Sequence, residues 1–303
     1  MDLELLSVQM IILLILMAVG YICGKTGLIT SDSQIKLSNL ILRVGIPSMI
    51  IVSVSEDFKL TVSDILCYLI GFFLFNISLG IVSLLIVKIT RIKNDFEIYQ
   101  FMYMFSNVGF MGLPVIQATL GEKSTLLAAL FLLPSNLVLF TYGEYLMAEK
   151  QTFSLKKFLT PPVLASFIAI LICIFKLKLP FVLMQSLSYL GNITTPLAML
   201  IIGSSFSSMS SFKVSSVLQM IRFIIIKLLV LPILYWYILG FLNISRDLQI
   251  LLVLLTAMPV ASNVVIYANI YRKNVGLATQ ASVLTSIICV ITIPIVFAVI
   301  NIL

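Results

Sequence analysis

Histidine is absent from all 303 residues, charged residues make up only 10% of the chain, and tryptophan occurs once. Without histidine the commonest proton shuttle and metal ligand is missing. The scarcity of charge excludes an ordinary soluble domain, in which about 25% of residues are charged. The four cysteines, Cys23, Cys67, Cys173 and Cys289, all fall inside apolar runs. A thiol there packs as a small apolar group, so neither a disulfide nor a metal site is expected. A catalytic set is missing too: there is no Ser-His or His-Glu pair, no phosphate-binding loop and no cysteine cluster. An enzyme is therefore not expected, and no cofactor is implied.

What the chain does have is hydrophobicity, 61% of residues with a mean hydropathy of +1.18. It reads as an all-α polytopic membrane protein. At about 20 residues per crossing, the apolar runs predict ten transmembrane helices, over 5–23, 37–55, 65–87, 98–120 and 126–146, then 163–175, 181–205, 216–242, 248–271 and 277–303. This gives a first five-helix repeat over 1–147, a cytoplasmic linker over 148–160 and a second five-helix repeat over 161–303. Five is an odd number, so homologous halves would insert upside down relative to each other as an inverted repeat.

The net charge of +7 comes mostly from basic residues in short loops. Eleven of these loop Lys and Arg residues fall in odd-numbered connections and five in even-numbered ones. The positive-inside rule then puts the odd connections in the cytoplasm and both termini on the extracytoplasmic side of the cell membrane. A bilayer accounts for the charge without a nucleic-acid partner. Asp2 and Glu4 stand where a basic signal-peptide region would be, so the first run reads as an uncleaved span.

Two spans are interrupted. The run 101–121 carries Ser106-Asn107-Val108-Gly109-Phe110-Met111-Gly112-Leu113-Pro114, and the run 248–271 carries Thr256-Ala257-Met258-Pro259-Val260-Ala261-Ser262-Asn263. A proline removes a donor and clashes one turn back, and glycines loosen the turn. In hydrocarbon the freed backbone groups are tolerated only where they line a protein cavity. The two prolines stand 145 positions apart in a chain of 303, and paired breaks in two halves point to a secondary transporter's binding site.

Broken helices present free N–H groups and partial positive charge at their second halves, which suits a carboxylate. Asn107 and Asn263 add amides that donate and accept without a fixed charge. Ser106 and Ser262 are secondary contacts, and Gly112, Pro114 and Pro259 shape the breaks. Lys227 lies about 12 residues into its span, roughly 18 Å deep and near the centre of the bilayer. It is expected either to support the crossover and attract an anion, or to form a structural pair with Glu144 or a backbone carbonyl. Asp64 and Glu144 are the plausible intramembrane proton-binding groups. Helix capping is the commoner explanation of Asp64, and an interfacial position that of Glu144. Arg43 and Arg222 lie near enough to the cytoplasmic face to snorkel.

The stretches Asn107-Val108-Gly109-Phe110-Met111-Gly112-Leu113-Pro114 and Ala257-Met258-Pro259-Val260-Ala261-Ser262-Asn263 resemble the auxin efflux carrier family, which includes bacterial malate permease-like and plant PIN-type carriers. Asn39 with Pro47, and 195–203 with its Thr195-Pro196 start, fit as well. The resemblance implies a sodium/proton antiporter-like fold with spans four and nine crossing at the substrate site. It also implies a homodimer, with spans one, two, six and seven as scaffold and the others moving as an elevator. Family substrates are organic anions such as malate or indole-3-acetate. The family's site residues carry over to Asn107, Pro114 and Pro259; Asn263 comes from the residues themselves. Plant members place a lysine one turn after an acidic residue near the start of span three, whereas Asp64 is followed here by Tyr68.

The expected function is secondary transport of a small organic carboxylate. A sodium-coupled symporter of similar architecture and a non-transporting anion sensor are the alternatives.

Overall fold

The computed structural model describes residues 3–52, 61–92, 94–148, 161–175, 177–207 and 217–302. Asp2 and residues 149–160 of the expected linker lie outside the described residues. In hydrocarbon a chain must satisfy its N–H and C=O groups internally. The described residues accordingly form helices and contain no strand beyond a single isolated bridge.

In chain order the helices are α1 (Leu3–Lys25), α2 (Ser31–Leu40), α3 (Ile46–Val52), α4 (Val62–Ile89), α5 (Phe96–Met104), α6 (Leu113–Val138), α7 (Glu144–Met147) and α8 (Pro161–Phe175). They continue with α9 (Phe181–Asn192), α10 (Thr194–Ser207), α11 (Val217–Ile225), α12 (Leu231–Gly240), α13 (Arg246–Ala257), α14 (Asn263–Ile270) and α15 (Val275–Ile302). Among the described residues six helical stretches are long and apolar enough to cross a membrane. α4 shows why they need one. Phe72, Phe75, Leu79 and Ser83 are buried, while Leu66, Ile70, Leu74, Ile81 and Leu85 form an exposed stripe of helical period that only lipid would cover.

Three wide turns, at Ile41–Gly45, Val108–Gly112 and Ile226–Val230, share one cause. Each ends two residues before a proline, Pro47, Pro114 and Pro232. The proline ring collides with the carbonyl four residues back. The residue before the proline bonds instead five residues back: Ile46 N–H to Ile41 O, Leu113 N–H to Val108 O, Leu231 N–H to Ile226 O. Such π-type turns shift the register of the side chains they contain. Arg43 and Lys227 lie in two of them.

α1 and α10 pack backbone to backbone. A Cβ on Gly20 would collide with the Leu200 backbone, and one on Gly203 with the Met17 carbonyl. Small residues of this kind let membrane helices approach closely. At Gly121 the chain leaves helical geometry with φ 78°, a conformation open to glycine and costly for other residues. Around α5 and α13, residues 98–105 and 251–258 are buried without interruption, packed by α4, α6, α12, α14 and α15.

Candidate functional site

α5 stops at Met104; Phe105 is extended at φ −98°, ψ 115°, and the helix resumes only at Val108. Asn107 caps the resumed helix, its Oδ1 accepting from the Phe110 N–H at 3.2 Å and its carbonyl from the Gly112 N–H at 2.9 Å. α13 stops at Ala257 with Met258 extended, because Pro259 has no N–H to offer the carbonyl one turn back, and α14 begins at Asn263.

The two extended pieces meet as antiparallel partners, Ser106 opposite Val260. The Asn107 N–H donates to the Pro259 carbonyl at 2.8 Å, and the Ala261 N–H to the Phe105 carbonyl at 3.1 Å. The Val260 N–H points the other way and donates to the Thr285 hydroxyl of α15 at 3.1 Å. That hydroxyl donates in turn to the Ala281 carbonyl at 2.7 Å. Both breaks are therefore one structure, bonded across its middle and clamped by α15.

Lys227 is fully buried behind this crossover. Its ammonium donates to Ser106 Oγ at 2.8 Å and to the Tyr103 carbonyl at 3.2 Å. The reason lies in the break. The helical donor for Tyr103 O would be the Asn107 N–H, which is spent on Pro259, so the carbonyl is one of the orphans of a helix end. A cation there also meets the negative end of the α5 dipole.

On the other side of the crossover lies a cavity of about 1020 Å³. Its wall contains the first turns of both resumed helices, with Asn107, Val108 and Gly109 from one and Ser262 and Asn263 from the other. Ser106 also lines it, linking the cavity to Lys227. The lining extends to helix ends, with Gln34 in the first turn of α2, Pro161 at the start of α8, Ser205 in the last turn of α10 and Gly276 at the start of α15. The cavity thus runs from the crossover to the face of the protein at which those ends lie. Gly112, Pro114 and Pro259 are buried and do not line it; they shape the wall from behind, Gly112 packing near Met258 and Leu255.

Asp64 and Glu144 are elsewhere. Asp64 is exposed and forms a reciprocal cap with Thr61, accepting from its N–H at 2.9 Å and its hydroxyl at 2.7 Å. Glu144 is buried and accepts from the Tyr271 hydroxyl, tying α7 to the residue just past α14. Neither lines the cavity. Sequence reasoning passed over Thr285, Asn136 and Gln280, and expected of Arg43 only that it snorkels, with no sign that it lines the cavity. A signal existed for two of these. Asn136 follows Pro134 within an apolar run, and Arg43 precedes Pro47 by the same four residues that separate Phe110 from Pro114. Cys23, Cys67 and Cys289 are free thiols, and among the described residues no group of His, Cys, Asp and Glu could hold a metal.

The family described as membrane transport protein matches the chain in two stretches, residues 5–154 and 150–297. A relative described as an uncharacterized transporter of Methanocaldococcus jannaschii is 26% identical over 293 residues, covering 91% of this chain and 92% of the relative.

Proposed function

We propose that this chain, which belongs to the membrane transport protein family of auxin efflux carriers, is a secondary carrier that moves a small organic carboxylate through the bilayer. One observation carries the reading: the N-terminal turns of two broken helices open into one cavity, at Val108–Gly109 and Ser262–Asn263. Helix N-termini favour anions through their free N–H groups and their dipole. Asn107, which lines the cavity, uses its Oδ1 as a cap and leaves its Nδ2 donors without a partner among the described residues. Asn263 stands at the same place on the other arm.

In this proposal the chain crosses the membrane ten times as two inverted five-helix halves and forms a homodimer in the cell membrane. α1, α2–α3 and α8–α10 are the scaffold, while α4–α7 and α11–α15 move as an elevator with the anion at their crossover. The cavity faces the ends of α2, α8, α10 and α15, the side that holds Lys25, Lys36, Arg272 and Lys273. By the positive-inside rule this is the cytoplasm, so the arrangement is inward-facing. Lys227 places its amine nitrogen where the carbonyls of α5 end, so these carbonyls have a donor without a sodium ion, which supports a carrier whose crossover needs none.

The test is counterflow in proteoliposomes with labelled malate and indole-3-acetate, with and without sodium. Exchange of at least one anion, unaffected by sodium, is expected. No exchange of either would refute the carrier reading as stated.

A further inference from the structure

Among the described residues that line the cavity, Arg43 is the one charged side chain. No described group forms a hydrogen bond or ion pair with its guanidinium. It sits on a polar wall, since Gln34, Ser38, Asn39 and Arg43 all line the cavity from one side. That spacing is one face of a helix. The same wall reaches the crossover, because Ile46, three residues beyond Arg43, comes within 3.9 Å of where a Cβ on Gly109 would stand. Three residues are about one helical turn. The arginine is therefore about a turn along its helix from the residue that meets the first turn of a broken helix, and it lines the same cavity as Asn107 and Asn263.

Guanidinium chemistry narrows what such a position does. An arginine keeps its charge at every physiological pH and offers a rigid fork of donors matched to a carboxylate. Bordering an open cavity, it keeps that charge without being sealed in hydrocarbon. The Asn107 amide and the half-helix ends can orient a carboxylate, yet they also hydrogen-bond a neutral amide. Only a full charge strongly separates an acid from its uncharged isostere.

We propose that Arg43 is the specificity-determining cation of the cavity, pairing with the carboxylate of an organic anion from the scaffold wall and making the site discriminate against neutral analogues. This rests on the carrier reading above. In that reading Arg43 belongs to the stationary part and Asn107 and Asn263 to the moving part, so the anion bridges the two only while the cavity faces the cytoplasm.

The experiment measures binding by the full-length protein in nanodiscs, with two matched pairs as probes: indole-3-acetate against indole-3-acetamide, and malate against malamide. Wild type should bind at least one acid tenfold or more tighter than its amide. Arg43→Gln should lose about tenfold or more in affinity for that acid with amide binding unchanged, and Arg43→Lys should recover part of the loss. The salt dependence of acid binding should flatten in Arg43→Gln. If Arg43→Gln keeps the wild-type preference for acid over amide, the inference falls while the carrier reading stands. It falls equally if acid and amide binding drop together with thermal stability, which would mark a structural role. If wild type binds acid and amide alike, the inference falls while the carrier reading stands; if wild type binds neither acid, the carrier reading falls and this inference with it.

Discussion

The Asn107 N–H donates to the Pro259 carbonyl at 2.8 Å, joining two helix breaks from opposite halves of the chain. A proline is usually considered for the donor it lacks. Here its carbonyl is what matters, because it takes the Asn107 N–H away from Tyr103, and Lys227 fills the place left. The geometry of the crossover is thus held by backbone groups, Lys227 and Thr285, and no described group takes the side-chain Nδ2 donors of the cavity-lining Asn107.

Thr285 supplies the acceptor for the buried Val260 N–H. Thr285→Val keeps the shape and removes the acceptor, leaving a buried donor unsatisfied at a cost of about 1–3 kcal/mol. The thermal midpoint in detergent should fall accordingly, and Thr285→Ser should restore it. A valine variant as stable as wild type would mean that the Val260 N–H does not depend on this hydroxyl.

Ser106 and Lys227 should be energetically coupled. Ser106→Ala removes one of the two acceptors of the fully buried Lys227 ammonium. A hydrogen bond to a charged group is worth about 1.5–3 kcal/mol. In a Lys227→Met background the same serine change should cost little, because no stranded charge remains. A double-mutant cycle on unfolding reads the difference, and strictly additive effects would show that the two do not share a bond that matters.

Two glycines should respond oppositely to alanine. At Gly203 a Cβ would run into the Met17 carbonyl, so Gly203→Ala must separate α1 from α10, at about 1–3 kcal/mol. At Gly71, inside α4, a Cβ meets nothing. Alanine there should stabilise by about 0.5–1 kcal/mol through helix propensity alone. Equal effects at both positions would contradict the close packing of α1 on α10.

The breaks were legible in the sequence because proline and glycine act locally: 106–114 and 257–263 announce themselves without any tertiary knowledge. The burial of Lys227 is unsurprising from the sequence too, since it stands well inside an apolar span. What it touches was not legible, because the Tyr103 carbonyl becomes available only when Asn107 pairs with Pro259, a contact between distant segments. The place of Arg43 on the cavity was not legible for a related reason. Its distance from the span end suits snorkelling, and only the packing of α2–α3 against the resumed helix places it on the cavity wall. Asp64 came down on the side of capping, a local interaction that sequence does encode.

Asn107→Asp tests the central claim most directly. Aspartate caps a helix as well as asparagine does, and its charge suits a helix N-terminus, so Oδ1 can still accept from Phe110 and the fold should persist. The variant lacks the Nδ2 donors and sets a negative charge where a carboxylate is proposed to bind. Counterflow of malate and indole-3-acetate by this variant, beside wild type, is the measurement. The account predicts a monodisperse protein with an undiminished thermal midpoint whose carboxylate exchange falls by at least about tenfold, the size of a lost charge-assisted hydrogen bond. Exchange at the wild-type rate would contradict it, because the anion would then be held somewhere other than the crossed ends of the broken helices.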